Sequence, residues 1–87
     1  MEKRRRIRDF TYSGERWIAS LVANERHTGV WSGQINFFLD APAQAVQLQD
    51  GLVLEALAFD ELVSQASALS VEEMQRRLGR LRQQAVR

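Results

Sequence analysis

The chain has 87 residues, a formal net charge of +1, one histidine, one proline and no cysteine. A chain of this length buries enough surface for one hydrophobic core and not for two, so we expect a single domain over residues 1–87. The lack of cysteine excludes a disulfide framework, a thiolate metal site and a cysteine nucleophile.

The N-terminal segment is charged but lacks the apolar stretch of a secretory signal. Residues 1–8 are followed by Asp9-Phe10-Thr11-Tyr12, whereas a signal peptide continues with an unbroken apolar run. The apolar runs at 37–39 and 52–54 each end at a carboxylate and are far shorter than the ~20 residues that span a bilayer. We therefore expect a cytoplasmic protein without a membrane partner.

The charge is unevenly distributed along the chain. Residues 1–9 carry +3, residues 10–74 carry −7, and residues 75–87 carry +5. In one interpretation the basic ends converge into a patch that binds phosphates. In the other they pair with the acidic body or remain solvated, with residues 1–6 as a frayed N-terminus. The candidate phosphate contacts are seven arginines: Arg4, Arg5, Arg6, Arg8, Arg76, Arg80 and Arg87.

Two-residue turn chemistry predicts a hairpin near the N-terminus, with the first strand starting at about residue 7. Ser13-Gly14 separates two short runs rich in aromatic and β-branched residues, and glycine supplies the positive φ that a primed turn requires. In this register Tyr12 faces Glu15 and Phe10 faces Trp17, which places two aromatic rings on one face.

The third strand is predicted by strict alternation. The second strand is expected to continue through Ala23 and to be followed by a connection at 25–29. In residues 31–39 large apolar residues occupy every odd position except Gly33, and polar residues occupy most of the even ones. This period of two predicts a half-buried strand with its odd-numbered face inward. Gly33, in mid-strand, indicates either a bulge or the close approach of another backbone.

The segment after Pro42 contains a second hairpin signal. Asp50-Gly51 lies between two apolar runs, and this dipeptide is a strong indicator of a two-residue hairpin. We therefore expect a strand through about Ala58, although the leucine and alanine content of 52–58 also favours helix.

Two helices, at about 60–69 and 71–86, are predicted to end the chain. Asp60 is a suitable N-cap for the first, and Ser70 with Glu73 forms the sequence pattern of a capping box at the start of the second. The predicted fold class is α+β: an antiparallel meander of four to five strands over residues 7–58, covered by the two helices.

The last helix carries an apolar stripe at spacings of three and four residues, which is typical of a packed helix face. Its members are Val71, Met74, Leu78, Leu81 and Ala85. The stripe fits packing on the domain's own sheet and also fits self-association, because it is too short to specify a coiled coil alone. Gly79 interrupts this helix at a cost of about 1 kcal/mol relative to alanine, which allows a close contact or marks a fraying end.

No pattern in the sequence points to catalysis. The single histidine, His27, lies in a predicted connection, and no serine has the glycine-flanked elbow of a nucleophile. Neighbouring carboxylates on a helix diverge by about 100° and do not face each other across a substrate. The glycines form no phosphate-binding or dinucleotide motif, and the histidine and carboxylates have no metal-ligand spacing. We therefore expect no enzyme, no cofactor and no metal.

The sequence favours a small non-catalytic binding module that acts through protein contacts, including self-association by the last helix. The alternative is a nucleic-acid-binding protein that uses the basic ends and stacks bases on exposed aromatic residues. Most aromatic residues fall at predicted core positions, and Tyr12 and Phe38 are the better candidates for an exposed contact.

Overall fold

The computed structural model describes residues 1–26, 29–41 and 46–85. Its elements in chain order are β1 (Glu2–Tyr12), β2 (Glu15–Glu25), β3 (Trp31–Leu39), β4 (Gln47–Gln49), β5 (Leu54–Ala56), α1 (Phe59–Ser67) and α2 (Val71–Ala85). The five strands form one antiparallel sheet in the order β1-β2-β3-β4, and β5 also pairs with β3. This confirms the predicted α+β fold of a four- to five-stranded sheet followed by two helices.

The hairpin between β1 and β2 has the predicted turn and register. Ser13 and Gly14 have φ values of +52° and +79°, the left-handed conformations that a primed two-residue turn requires. Tyr12 pairs with Glu15 across this turn, and Phe10 pairs with Trp17.

The expectation of a frayed segment at 1–6, with the first strand starting near residue 7, is wrong. β1 begins at Glu2, and the pairs from Glu2 with Asn24 to Arg6 with Ser20 extend the ladder, with one bulge between Arg6 and Arg8. β2 is long enough to provide partners for the whole segment, and the basic side chains of an edge strand remain in water. Charge therefore did not prevent strand formation.

In β3 the odd-numbered face points inward as predicted, and Gly33 marks a close approach. Its register with β2 is continuous, so no bulge is present there. A Cβ atom at position 33 would lie 2.9 Å from Leu21 Cδ1 and 3.3 Å from the Ala23 Cβ. Glycine is therefore needed to let β2 and its side chains pack against β3.

The predicted Asp50-Gly51 hairpin is wrong, because β4 and β5 do not pair with each other. Both strands pair with β3: Leu48 lies opposite Phe37, and Leu54 lies opposite Gly33. The Asp50 amide donates to the Ile35 carbonyl at 2.8 Å. This bond keeps the chain on the edge of β3 at the residue where a hairpin would turn it back onto β4. The strand structure ends at Ala56, before the predicted end at Ala58.

The helix starts agree only in part with the sequence. The N-cap of α1 is Ala58, which makes no side-chain capping bond, and Asp60 lies in the first turn. The prediction that Asp60 caps this helix is therefore wrong, although its charge still suits the helix N-terminus. The Ser70 half of the predicted capping box is confirmed, because Ser70 Oγ accepts a hydrogen bond from the Glu73 amide at 3.1 Å. The Glu73 carboxylate pairs with Arg76 and Arg77 and not with the Ser70 amide.

The hydrophobic core lies between the inward face of the sheet and the two helices. Its buried residues are Phe10, Trp17, Ala19, Leu21, Ala23, Trp31, Ile35, Phe37, Leu62, Ala66, Met74 and Leu78. The opposite face of the sheet, here called the open face, has no helix on it among the described residues.

Candidate functional site

The apolar stripe of α2 is divided between the core and the surface. Met74 and Leu78 are fully buried, and Val71 is 38% exposed. Leu81 packs partly against the core, and the side chain of Ala85 lies outside the described part of the chain. Met74 and Leu78 therefore belong to the intramolecular core.

Two of the N-terminal arginines lie on the open face of the sheet. Arg4 and Arg6 pair with β2 residues that alternate with its buried positions. Arg4 Nε donates to Glu2 at 3.0 Å, and Arg6 Nε donates to Asp9 at 2.8 Å. Each guanidinium is therefore held by a carboxylate of its own strand.

The other predicted phosphate contacts are dispersed. Arg5 is exposed, and Arg8 Nη2 donates to the Ser67 carbonyl at the end of α1, at 2.8 Å. Arg76 and Arg80 lie on α2 beside Tyr12, about 26 Å along the extended β1 strand from Arg4. Arg87 lies outside the described residues. The described arginines of the two ends therefore do not form one patch.

A groove of about 790 Å³ lies where α2 passes the turn between β1 and β2. We call it the arginine groove. Its lining residues are Tyr12, Ser13, Gln75, Arg76, Gly79, Arg80, Arg82 and Gln83.

Gly79 gives this groove its floor. A Cβ atom at position 79 would lie 2.6 Å from the Tyr12 hydroxyl oxygen and 3.3 Å from Tyr12 Cζ. Any larger residue would displace the tyrosine ring, so the glycine that weakens the helix permits Tyr12 to lie against it. The sequence signal was a lone glycine in an amphipathic helix, but nothing in the sequence identified its neighbour.

Three arginines of the groove differ in how firmly they are held. Arg82 Nη1 lies 2.9 Å from a Glu15 carboxylate oxygen, and its guanidinium lies 5.7 Å from the centre of the Trp17 ring. Arg76 pairs with Glu73, one helical turn away. Arg80 forms no ion pair with any of the described residues. Its charge is therefore the one most available to a bound anion.

The polar side chains that line the arginine groove are either cationic or neutral. They include guanidinium, hydroxyl and side-chain amide groups but no carboxylate. Guanidinium groups donate hydrogen bonds, accept none and stay protonated in proteins, so they do not act as general bases. The arrangement suits the binding of a carboxylate or a phosphate, both of which match the geometry of arginine.

A second hollow, of about 400 Å³, lies on the open face of the sheet and is lined mostly by polar residues. Gln49 Nε2 donates to Gln34 Oε1 at 2.6 Å, and Gln34 Nε2 donates to the Asp50 carbonyl at 3.2 Å. Asn36 lies beside them, 5% exposed, and its Oδ1 has no hydrogen-bond partner among the described residues. The lining combines one carboxylate, two arginines and four side-chain amides, so this hollow offers an anion less attraction than the arginine groove.

The charges at the hairpin end of the open face are satisfied locally. Hydrogen bonds from Arg6 and then Arg16 lower the pKa of Asp9 below its usual value of 3.8. The same contacts raise the pKa of both guanidinium groups. Arg16 also lies 3.7 Å from Asp40. This cluster is an internal network of ion pairs in which each charge already has a partner.

Two further kinds of site concern the described ranges, a metal-ligand cluster and a membrane-spanning helix. No group of three or more histidine, cysteine, aspartate or glutamate residues is placed to hold a metal ion there. No described helix is sufficiently long and apolar to cross a bilayer. His27, the histidine considered for catalysis, lies outside the described residues.

Comparisons with known proteins find no matching family model, no matching curated protein and no matching solved structure.

Proposed function

We propose that this chain is a non-catalytic, cytoplasmic interaction module that binds an acidic segment of a partner protein in the arginine groove. The observation that carries the proposal is the lining, which includes three arginines and the Tyr12 hydroxyl but no carboxylate. Carboxylates of an acidic segment would receive charge-assisted hydrogen bonds from these groups.

The distribution of charge around the groove supports a protein segment over a nucleic acid. A nucleic acid needs a continuous track of positive charge along its backbone. Here Glu15 and Glu73 pair with arginines at the border of the groove, and residues 10–74 together carry −7. A phosphate backbone that extended beyond the groove would meet this negative charge, whereas a short acidic segment would not.

Two of the groups that line the groove already have contacts that position them, which favours specific binding. Arg82 is held by Glu15 and by the ring of Trp17, and Tyr12 rests on Gly79. Groups that are already positioned lose little conformational freedom when the ligand binds, so more of the interaction energy appears as affinity. Arg80 provides the charge that is not yet paired within the described chain.

The test is a binding titration followed by fluorescence anisotropy. The probe is a labelled eight-residue peptide rich in glutamate and aspartate, and a peptide with glutamine and asparagine in their place is the ligand control. We expect Arg80→Glu to weaken binding at least tenfold. Arg26→Glu makes the same charge change near the far end of β2 and should leave the affinity within threefold.

A second variant tests the groove without changing a charge. Tyr12→Phe keeps the ring against Gly79 and removes only the hydroxyl, so a loss of threefold to tenfold is expected if that hydroxyl donates to the ligand. Equal effects of Arg80→Glu and Arg26→Glu would overturn the assignment to this groove. Binding of a single-stranded oligonucleotide but not of the acidic peptide, with a steep dependence on salt, would replace the protein partner by a nucleic acid.

A further inference from the structure

The first strand has one long edge that is not paired with any other strand of the described chain. β1 is the terminal strand in the sheet order, and it contains eleven residues. At about 3.3 Å per residue the strand is roughly 36 Å long. An edge of this length is a template for a further strand, because alternate residues direct their amide and carbonyl groups away from the sheet.

The phase of the ladder shows which backbone groups point outward. The Glu25 amide donates to the Met1 carbonyl at 3.4 Å, so Met1 is a hydrogen-bonded position of this antiparallel pair. Because such positions alternate with non-bonded ones, the backbone of Lys3 faces β2, whereas the backbones of Glu2 and Arg4 face outward. The same alternation places Arg6 outward, up to the bulge that follows it.

The two ends of this edge differ. At the turn end, Gln75 Nε2 donates to the Thr11 carbonyl at 2.7 Å, so α2 already supplies a partner to the edge. No described residue donates to, or accepts from, the outward backbone groups of Glu2, Arg4 and Arg6. The unpaired stretch before the bulge is therefore residues 2–6, which we call the free edge.

The charge of the free edge selects its partner. Lys3, Arg4, Arg5 and Arg6 occupy four consecutive positions, and successive side chains of a strand point to opposite faces. A second copy of this strand would bring like charges into opposition, which is destabilising across an antiparallel pair. A strand with carboxylates on both faces would instead place a negative charge opposite each of these four cations. The same property that repels a second copy therefore attracts an acidic strand.

Arg5 is the cation of the free edge that is most available to a partner. Arg4 and Arg6 bind carboxylates of their own strand, and the Lys3 ammonium lies 5.2 Å from the centre of the Trp31 ring. Arg5 is exposed and forms no ion pair with the described residues.

We propose that the free edge accepts an extended acidic segment of a partner protein as a sixth strand of the sheet. This binding mode obtains its affinity from main-chain hydrogen bonds and its specificity from alternate side chains. It uses a surface outside the arginine groove and does not depend on the function proposed for that groove.

The test compares two labelled seven-residue peptides in which pairs of adjacent glutamates are separated by single valines, so that an extended strand carries carboxylates on both faces. One has normal amides, and the other is N-methylated at alternate residues on its pairing edge, which removes hydrogen-bond donors but no charge. We expect the unmodified peptide to bind at least tenfold more tightly in fluorescence anisotropy. Its binding should also shift the backbone amide resonances of Glu2, Arg4 and Arg6 in nitrogen-15 spectra.

Variants of the full chain assign the site. Arg5→Glu should weaken binding of the unmodified peptide at least tenfold, whereas Arg80→Glu, the same charge change in the arginine groove, should leave it within threefold. Arg4→Pro removes one outward amide, a change that an edge strand tolerates, and should weaken binding far more than Arg4→Ala. Loss of binding in both Arg4 variants would instead assign the effect to the side chain and overturn strand addition.

Three further results would overturn the proposal. They are equal affinity of the two peptides, no binding of the unmodified peptide, and binding that responds to Arg80→Glu but not to Arg5→Glu. The last result would assign the peptide to the arginine groove, so the failure of one proposal can be distinguished from the failure of the other.

Discussion

The two faces of the sheet are formed by the same strands but are stabilised in different ways. Along β2 every odd residue from Trp17 to Ala23 is buried, whereas the even residues between them are only partly buried. The covered face packs against α1 and α2 through apolar contacts, and the open face is held by ion pairs and amide hydrogen bonds. Apolar burial is worth several kcal/mol per large side chain, whereas exposed ion pairs are worth ~1 kcal/mol or less. The free energy of unfolding should therefore come mainly from the covered face, and most substitutions on the open face should change it little.

The largest expected effect compares two adjacent phenylalanines of β3. Phe37 is fully buried, with its ring 5.8 Å from that of Phe10 in an edge-to-face arrangement. Phe37→Ala should lower the free energy of unfolding by about 3–5 kcal/mol. Phe38 points to the open face and is only partly buried, so Phe38→Ala should cost about 1 kcal/mol. Urea denaturation measures both, and similar losses would refute the energetic difference between the faces.

A second comparison concerns two neighbouring arginines of α2. Arg77 is 22% exposed and binds the Asp50 carboxylate, itself 10% exposed, at 2.9 Å. Arg77→Met would leave that carboxylate largely buried and unpaired, so we expect a loss of about 2–4 kcal/mol. The Arg76 side chain is 67% exposed, and Arg76→Met should change stability by less than about 0.5 kcal/mol. Thermal unfolding monitored by circular dichroism measures both stability changes. A loss for Arg77→Met as small as that for Arg76→Met would mean that the ion pair of Arg77 with Asp50 contributes nothing to the stability of the fold.

Two glycine-to-alanine substitutions should change the free energy of unfolding in opposite directions. Gly33→Ala would place a Cβ atom 2.9 Å from Leu21 Cδ1 and 3.3 Å from the Val22 carbonyl oxygen, so overpacking should cost about 1 kcal/mol in net terms. A Cβ atom at Gly51 meets nothing within 4 Å. Gly51→Ala should therefore stabilise the fold by about 0.5 kcal/mol, because it restricts the unfolded chain. Stabilisation by Gly33→Ala in urea denaturation would show that Leu21 can move aside.

The smallest effect depends on pH and belongs to the open face. Hydrogen bonds from Arg6, and then from Arg16, lower the pKa of Asp9 below 3.8. A lowered pKa means that the carboxylate stabilises the folded state at pH values above the unfolded pKa, and that this contribution is lost as the pH falls through the folded pKa. Asp9→Asn should therefore be less stable than the natural chain near pH 6, and the two should converge below about pH 3.8. A difference in urea midpoint that stays constant from pH 6 to pH 2 would contradict this assignment.

The parts of the fold that sequence reasoning predicted are those with local causes. The turn at Ser13-Gly14 depends on two residues, the odd-numbered inward face of β3 depends on a period of two, and the Ser70 cap depends on a spacing of three. Each of these signals acts within a few residues, and all three are confirmed.

The parts that it missed depend on contacts between distant segments. The Asp50-Gly51 signal favoured a hairpin, but hydrogen bonds of Asp50 with Ile35 and Arg77 hold this residue on the edge of β3. The arginine groove requires Gly79 to meet Tyr12, and no periodicity links residues so far apart. The candidate site could therefore be predicted only as separate basic residues, without their arrangement.

The order of the elements along the chain has a consequence for biosynthesis. The three long strands leave the ribosome before either helix, and their short connections let them pair early. Leu62 of α1 and Leu78 of α2, which complete the core beside Trp17 and Phe37, arrive only afterwards. In the interval the nascent sheet exposes its apolar side to water, the state in which chains bind chaperones or aggregate. A ribosome that pauses before residue 78 would prolong that interval.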